Sequence, residues 1–233
     1  MKKVLMLITV LLGLSSFGWA GACGPSTLSI YDTPGFSCTI GDKTFSHFTY
    51  SGTSALTNAI SATTVRVVPN ATLGASGFMF IAPWSIFQNE AQDSFIGFNV
   101  TVHPGGHSII GASLGQWGSG SSGTGIASID ETLCLGDTFA DGCAHGLALS
   151  LNTEHDAISH KMTGFINFAP VTVIGVTKDL SVVGGPSGVA RLSGLQERFF
   201  ETPGTVPEPA SLILFGSGLL ALGGFVRRRQ DSK

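Results

Sequence analysis

The sequence has 233 residues, of which 43% are apolar and only 12% are charged, and its length suits one or two domains. A mean hydropathy of +0.35 excludes a chain that is disordered throughout, because disordered chains are hydrophilic and highly charged. The formal net charge of −3 also excludes a strongly basic nucleic-acid-binding protein.

The chain begins with the features of a secretory signal peptide. Two lysines precede an apolar run of 11 residues from Val4 to Leu14, and the small residue Ala20 follows. A cationic start, an apolar run and small residues before the cleavage point are typical of such peptides. We predict a signal peptide over residues 1–20, cleaved after Ala20. Cleavage two residues later would instead leave Cys23 at the N-terminus, as in a lipoprotein.

The next segment, residues 21–201, is predicted to be a folded ectodomain with an acidic surface. Residues 21–205 contain 13 acidic and 6 basic side chains, which gives a net charge of −7. This charge would repel phosphate backbones and could attract cations or basic partners. Solubility of an exported domain is the simpler explanation, and a calcium-stabilised adhesion module is an alternative.

Cysteine usage agrees with export. Four cysteines lie in the ectodomain, and an even number in an oxidising compartment predicts disulfides. Of three possible connectivities we favour the sequence-local pairs, because short loops close at little entropic cost. The spacings do not fit a zinc ribbon, so no metal or cofactor is predicted. The cysteines are Cys23, Cys38, Cys134 and Cys143.

Apolar residues of the ectodomain recur with a period of two in short runs. Residues 96–102 alternate between apolar and small or polar side chains, which predicts a strand with one buried face. Leu147–Leu151 repeats this pattern. Turn residues such as those of His103–Gly106 separate the runs too closely for helices of ordinary length. The glycine- and serine-rich stretch Gly115–Gly125 is expected to be a flexible loop.

Seven further runs are weaker strand predictions: Phe45–Tyr50, Thr64–Val68, Gly77–Ile81, Ser108–Leu114, Gly125–Leu133, Val171–Thr177 and Val189–Leu195. About nine strands without interleaved helical patterns predict an all-β fold, an antiparallel β-sandwich or jelly roll. A single sheet would leave one apolar face exposed to water.

Three polar motifs are candidates for ligand-binding or metal-binding sites. Gly118–Gly123 satisfies the G-x-G-x-x-G pattern, but a strand-like pattern rather than a helix follows it, so we reject dinucleotide binding. Glu154–Asp156 with His160 could ligate a metal. His155 and His160 are five residues apart, however, a spacing that places them on one face of neither a helix nor a strand, so a solvated loop is favoured. His103 and His107 flank a turn and could share an ion, but an ordinary polar turn is preferred.

No catalytic constellation is identifiable, so we predict a non-enzymatic protein. Six aromatic residues crowd positions 78–98 and are most simply core residues, with a sugar-stacking face as the functional rival. They are Phe78, Phe80, Trp84, Phe87, Phe95 and Phe98. A jelly roll can host either a lectin or a hydrolase, so a carbohydrate-active enzyme is an alternative.

The C-terminal part is organised as linker, membrane span and basic tail. Residues 202–209 form the linker, and residues 210–226 carry no charge. At about 1.5 Å per residue this span reaches about 26 Å as a helix, close to the roughly 30 Å of a hydrocarbon core. Arginines in the tail, residues 227–233, should keep it cytoplasmic and the ectodomain outside the inner membrane.

A Pro-Glu-Pro motif, a short glycine-bearing apolar helix and a terminal arginine cluster together resemble the PEP-CTERM sorting domain, over about 28 residues, Val206–Lys233. The residues that carry this resemblance are Pro207, Glu208, Pro209, Arg227, Arg228 and Arg229. It implies a Gram-negative host whose exosortase, an inner-membrane enzyme, recognises and cuts the tail. It also implies a final location at the cell surface or in an extracellular matrix rich in exopolysaccharide.

The two ends and the ectodomain together predict an exosortase-sorted surface or matrix protein. Its non-catalytic β-sandwich would associate with exopolysaccharide, and its partners would be exosortase, the inner membrane and the polysaccharide, without nucleic acid.

Overall fold

A computed structural model describes residues 20–139 and 142–203. In these ranges the chain forms fifteen strands and one short helix, α1 (Leu28–Tyr31). No helix within these ranges has the length and apolar character needed to cross a membrane. The signal peptide predicted over residues 1–20, apart from Ala20, and the predicted linker beyond Pro203, membrane span and basic tail lie outside the described residues.

The strands form two sheets. The first sheet has eight strands, in the spatial order β1 (Gly21–Ala22), β3 (Ser37–Ile40), β4 (Lys43–Ala55), β7 (Ala91–Val102), β14 (Val173–Val183), β10 (Ile126–Leu135), β11 (Leu147–His155) and β12 (His160–Lys161). The second sheet has the order β13 (Thr163–Val171), β8 (Ile109–Trp117), β15 (Val189–Glu201), β6 (Ala75–Ile86), β5 (Arg66–Thr72) and β2 (Ser26–Thr27), and β9 (Gly120–Ser122) also pairs with β15.

Strand pairing among the described residues is antiparallel except between β1 and β3. The predicted all-β, antiparallel sandwich is therefore confirmed. Aromatic rings from the two sheets meet in the core, where Phe45 of β4 and Phe78 of β6 lie 4.7 Å apart in edge-to-face geometry. Phe98 of β7 meets Phe199 of β15 in the same way. Edge-to-face packing of this kind stabilises a core beyond the area that it buries.

The nine predicted runs all fall on strands, but the structure has six more. Five of these are two to four residues long, too short for a period of two to show. The sixth, β13, is an exposed edge strand that contains Pro170, and such a strand need not alternate. The predicted flexible loop Gly115–Gly125 is wrong in part, because β8 extends to Trp117 and β9 occupies its middle.

Two irregularities shift which residues face the core. In β4, the pairing with β7 slips between Ser46 and Thr49, so the inward phase passes from Phe45 to Phe48. In β15, the pairing with β6 slips between Leu192 and Gly194. An extra residue in a strand shifts the pairing beyond it. The β4 bulge turns His47 outward. At the second slip the extra residue belongs to β6, and beyond it the core-facing residues of β15 change from Leu192 to Leu195 and Glu197.

The two disulfides are the sequence-local pairs that we favoured. Cys23 joins Cys38, which links the beginning of the ectodomain to β3. Cys134 of β10 joins Cys143 in the loop that follows this strand. No cysteine of the described residues is free.

Candidate functional site

A groove of about 330 Å³ lies on the outer face of the first sheet, and we call it the outer groove. Its lining residues come from β4, β7, β14 and the loop after β10: His47, Thr49, Phe95, Gly97, Phe98, Asn99, Phe139 and Thr177. It combines aromatic rings with hydroxyl and amide groups. Concave sites with apolar walls and a few polar groups are typical of small-ligand binding.

Two glycines permit this concavity. A Cβ on Gly97 would lie 2.5 Å from Oγ1 of Thr49, so any side chain there would fill the floor of the outer groove. A Cβ on Gly175 would lie 2.6 Å from the backbone nitrogen of Phe139, so glycine lets the following loop approach the sheet. Both positions need glycine for close approach of other atoms.

The aromatic walls of the outer groove have different origins. Phe95 points outward from β7 and is 40% exposed. Phe139 is held by its loop, since its backbone N–H donates to Oδ1 of Asn99 at 3.2 Å. Asp137 braces the same loop by accepting hydrogen bonds from the backbone of Thr138 and His145. These hydrogen bonds anchor the backbone of the loop that carries Phe139.

His47 forms one side of the outer groove in an uncommon backbone conformation. It is exposed, lies in the β4 bulge and has a φ of 54°, in the left-handed region that non-glycine residues rarely adopt. Its Nδ1 lies 3.1 Å from Oγ of Ser46. Strained bulge residues of this kind are often found where a strand redirects a side chain for function.

A row of carboxylates adjoins the outer groove. Asp130 of β10 and Asp179 of β14 stand directly opposite each other, and Asp179 is in turn opposite Phe95. Burial raises the pKa of Asp179, and the charges of Asp93 and Asp130 raise it further. Asn152 donates a hydrogen bond of 2.9 Å to Oδ1 of Asp130. Two opposed carboxyl groups can act as an acid and a base.

The aromatic cluster predicted from positions 78–98 divides between core and surface. Phe78, Phe80, Trp84 and Phe98 are fully buried and serve the core, as expected. Of the two remaining rings, Phe87 follows the end of β6 and is 67% exposed, and Phe95 lies in β7 and is 40% exposed. Phe95 is the one of these two that lines the outer groove, and no sequence pattern pointed to Phe139 beside it.

The predicted turn between His103 and His107 is present, and the two histidines meet different partners. Nε2 of His103 lies 2.7 Å from Oγ1 of Thr44, whereas Nδ1 of His107 lies 3.3 Å from Oδ2 of Asp42. Among the described residues, Asp42, His107 and Glu201 form the one group of three potential ligands close enough to share an ion.

Lys43 already supplies positive charge to that group. Its buried Nζ lies 2.6 Å from Oδ1 of Asp42 and 2.7 Å from Oε1 of Glu201, and we call these three residues the edge triad. Burial raises the pKa of Asp42, but hydrogen bonds from Lys43 and the backbone of His107 outweigh it and hold this pKa below its usual value. The edge triad is thus an ion cluster in which one buried lysine contacts both carboxylates.

The prediction of a solvated loop at Glu154–Asp156 is wrong. Glu154 and His155 belong to β11, and a tight turn to β12 brings the rings of His155 and His160 to 4.6 Å. The sequence spacing was misleading because a hairpin turn can pair residues five apart. Oδ1 of Asp156 accepts hydrogen bonds from the backbone N–H groups of Ile158 and Ser159 within the turn.

One buried cluster was missed altogether. Lys178 contacts both Glu131 and Glu197 inside the sandwich, and we call these three residues the core triad. Each stands at an inward position of its strand, between apolar residues two places before and after it. A signal was therefore present in the sequence, since charged residues in the buried phase of an alternating strand are rare.

Residues 205–230 match the model of the PEP-CTERM protein-sorting motif, which confirms the resemblance of the tail. Such a tail implies export and membrane-anchored sorting. No curated protein sequence matches this chain.

Several solved structures show weak similarity to the fold. The module TmCBM61 in complex with beta-1,4-galactotriose is 15% identical, with a TM-score of 0.33, covering 66% of this chain and 88% of its own. Endoglucanase 3 of Trichoderma harzianum, from family GH12, is 10% identical with a TM-score of 0.22, covering 65% of this chain and 97% of its own. A carbohydrate-binding module of the β-sandwich superfamily is 10% identical with a TM-score of 0.24, covering 76% and 62%. Likeness at this level says nothing about ligands.

Proposed function

We propose that this protein, whose tail carries a PEP-CTERM sorting motif, is exported and held in the inner membrane until an exosortase processes it. It then serves as a non-catalytic component of the cell surface or extracellular matrix and binds exopolysaccharide through its outer groove. The observation that carries the proposal is the motif match at residues 205–230.

The charge pattern around the tail supports this topology. The 17 residues from Ala210 to Val226 carry no charge, and three arginines follow immediately. Arginines next to a span are costly to translocate and so favour the cytoplasmic side. The export signal predicted over residues 1–20 requires the same orientation.

The outer groove supports the polysaccharide part. Phe95 and Phe139 offer apolar ring surface, and Thr49, Asn99 and Thr177 offer hydroxyl and amide groups beside them. Sugar rings have apolar faces and polar edges, so they bind well to such mixed surfaces.

The sorting step is tested by replacing Pro207, Glu208 and Pro209 with alanine in a host that has an exosortase. We expect the full-length protein to accumulate in the membrane fraction on immunoblots, while the wild type is shortened and released. The matched control replaces Pro203, which precedes the motif region, and should be processed normally. Normal processing of the triple variant would contradict the proposal.

The binding step is tested by glycan-array analysis of the full-length protein in detergent. Phe95→Ala should weaken binding about fivefold, because about 1 kcal/mol is lost per stacked ring. Phe87→Ala is the matched control, since it removes an exposed phenylalanine outside the outer groove. If the two variants bind glycans with equal affinity, the outer groove is not the binding site.

A carbohydrate-active enzyme is the second candidate, favoured by the opposed pair Asp130 and Asp179 beside Phe95. It predicts that the purified protein releases reducing ends from a polysaccharide and that Asp179→Asn abolishes the release. A non-catalytic protein would bind the same polysaccharide without shortening it.

A further inference from the structure

The core triad brings a lysine and two carboxyl groups together in the dry interior. Lys178 of β14 and Glu131 of β10 are direct partners across two paired strands of the first sheet. Glu197 approaches from β15 of the second sheet. Nζ of Lys178 contacts Oε2 of Glu131 and lies 2.5 Å from Oε2 of Glu197, and all three side chains are fully buried.

As an ion cluster the core triad is poorly satisfied. Oε1 of Glu131 and Oε1 of Glu197 are buried and have no hydrogen-bond partner. One lysine also cannot neutralise two carboxylates. Buried charges are stable only when they are paired and fully hydrogen-bonded, so this arrangement favours any reaction that removes charge.

The protonation states suit such a reaction. Burial lowers the pKa of Lys178, against the opposing effect of Glu197, and so favours the neutral, nucleophilic amine. Burial raises the pKa of Glu197 to about 7, so near neutral pH both the protonated and the ionised form of this carboxyl group are populated. A protonated carboxyl group next to an amine can serve as a proton donor and acceptor.

We propose that Lys178 and Glu131 condense to an amide that covalently joins β14 and β10. The ammonium group of Lys178 first transfers a proton to the carboxylate of Glu131. Nζ then attacks Cδ of Glu131, the new N–C bond forms, and the C–O bond to one carboxyl oxygen breaks. The oxygen leaves as water, so the ammonium and carboxylate together yield one amide and one water.

Glu197 is the catalytic residue of this step, because it contacts the reacting nitrogen. Protonated Glu197 donates its proton to the departing oxygen and becomes a carboxylate. This carboxylate accepts the proton that Nζ loses, so Glu197 ends the reaction in its starting form. Glu131 is the acceptor because the strand pairing on both sides fixes it directly opposite Lys178, whereas Glu197 belongs to the other sheet.

Two physical effects favour the amide in this position. Intramolecular groups held in contact react as if at effective concentrations of about 10⁵ M or more. In solution, bulk water drives amides back towards hydrolysis. Here the side chains around the core triad, such as Phe78 and Leu114 opposite Glu197, are apolar and buried, so the released water molecule would leave a dry core. The amide also replaces two buried charges by a neutral group.

Peptide mapping of the reduced full-length protein by mass spectrometry tests the proposal. Trypsin cannot cleave after an acylated Lys178, so residues 67–161 should appear joined to residues 162–191. The joined mass should be one water below the sum of the two peptides. Cleavage after Lys43, which is also buried among carboxylates, is the internal control and should remain complete.

Variants separate the amide from a simple ion cluster. Lys178→Ala should give unlinked peptides, and Glu197→Gln should slow linkage by about 100-fold, the order expected for loss of an acid–base group. The Gln variant keeps the shape of the side chain, so it distinguishes catalysis from a failure to fold.

Separate recovery of peptides 162–178 and 67–161 from folded wild-type protein would overturn the proposal and leave a non-covalent cluster. Fragmentation that places the bond on Glu197 would overturn the assignment of the acceptor. Because neither outcome depends on export or on sugar binding, the test is independent of the proposed function.

Discussion

Two lysines within residues 20–139 and 142–203 are fully buried, and each contacts two carboxyl groups, yet their surroundings differ. The carboxyl side chains of the core triad are completely buried, whereas those of the edge triad, Asp42 and Glu201, are 24% and 17% exposed. Water can therefore solvate the acids around Lys43 but not those around Lys178.

The pKa shifts of the two triads have opposite signs. The pKa of Asp42 lies below its usual value, because hydrogen bonds from Lys43 and a backbone amide outweigh burial. The pKa of Glu197 rises to about 7, because burial outweighs its attraction to Lys178. A carboxyl group beside a buried lysine thus stays ionised where water reaches it, as in the edge triad. Where water is excluded, as in the core triad, the neutral form is favoured.

The largest expected effect comes from Lys178→Met. This change leaves two buried carboxyl groups without a cation or amide partner, which typically costs about 3–5 kcal/mol. We expect the free energy of unfolding in urea to fall by this amount. A loss below about 1 kcal/mol, within the range of ordinary surface changes, would mean that the core triad contributes little to stability.

Lys43→Met should have a smaller effect. Its acids keep some contact with water, so we expect a loss of about 1–3 kcal/mol, the range for hydrogen bonds to charged groups. The same urea titration checks it, with Lys178→Met as the reference. A loss equal to or larger than that of Lys178→Met would contradict the role assigned to solvent access.

The edge triad also predicts a pH dependence. The pKa of Asp42 is lower in the folded state, so its ionised form stabilises the fold at pH values above the usual value of 3.8. This stability is lost as the pH falls from there through the lowered pKa. Thermal unfolding between neutral and strongly acidic pH should show the loss in the wild type and a weaker one in Lys43→Met.

The smallest effect is expected for the pair Asp130 and Asp179, which oppose each other without a lysine. The pKa of Asp179 is raised, so stability falls as the pH rises through it. Asp179→Asn should remove the repulsion and raise stability by about 0.2–1 kcal/mol at neutral pH. Asp179→Asn that lowers the melting temperature would show that this carboxylate has a favourable partner.

The alternation of apolar residues was enough to predict the sandwich, as in Ile96 to Val102, because each strand has one buried face. The local disulfides could also be predicted, since Cys23 and Cys38 close a short loop. Short edge strands such as β9 were not predictable, because three residues show no period. His155 and His160 were misjudged for a related reason: sequence spacing does not reveal a hairpin.

The sequence by itself determined the sorting tail, the two local disulfides and the antiparallel fold, because each rests on residues that are close in the chain or on a repeated pattern. Only the tertiary structure decided that Phe95 faces a groove while Phe98 fills the core beneath it. It also decided that Lys178 meets acids from two sheets. Strand pairing and bulges bring these groups together, and such contacts depend on register, which no local pattern records.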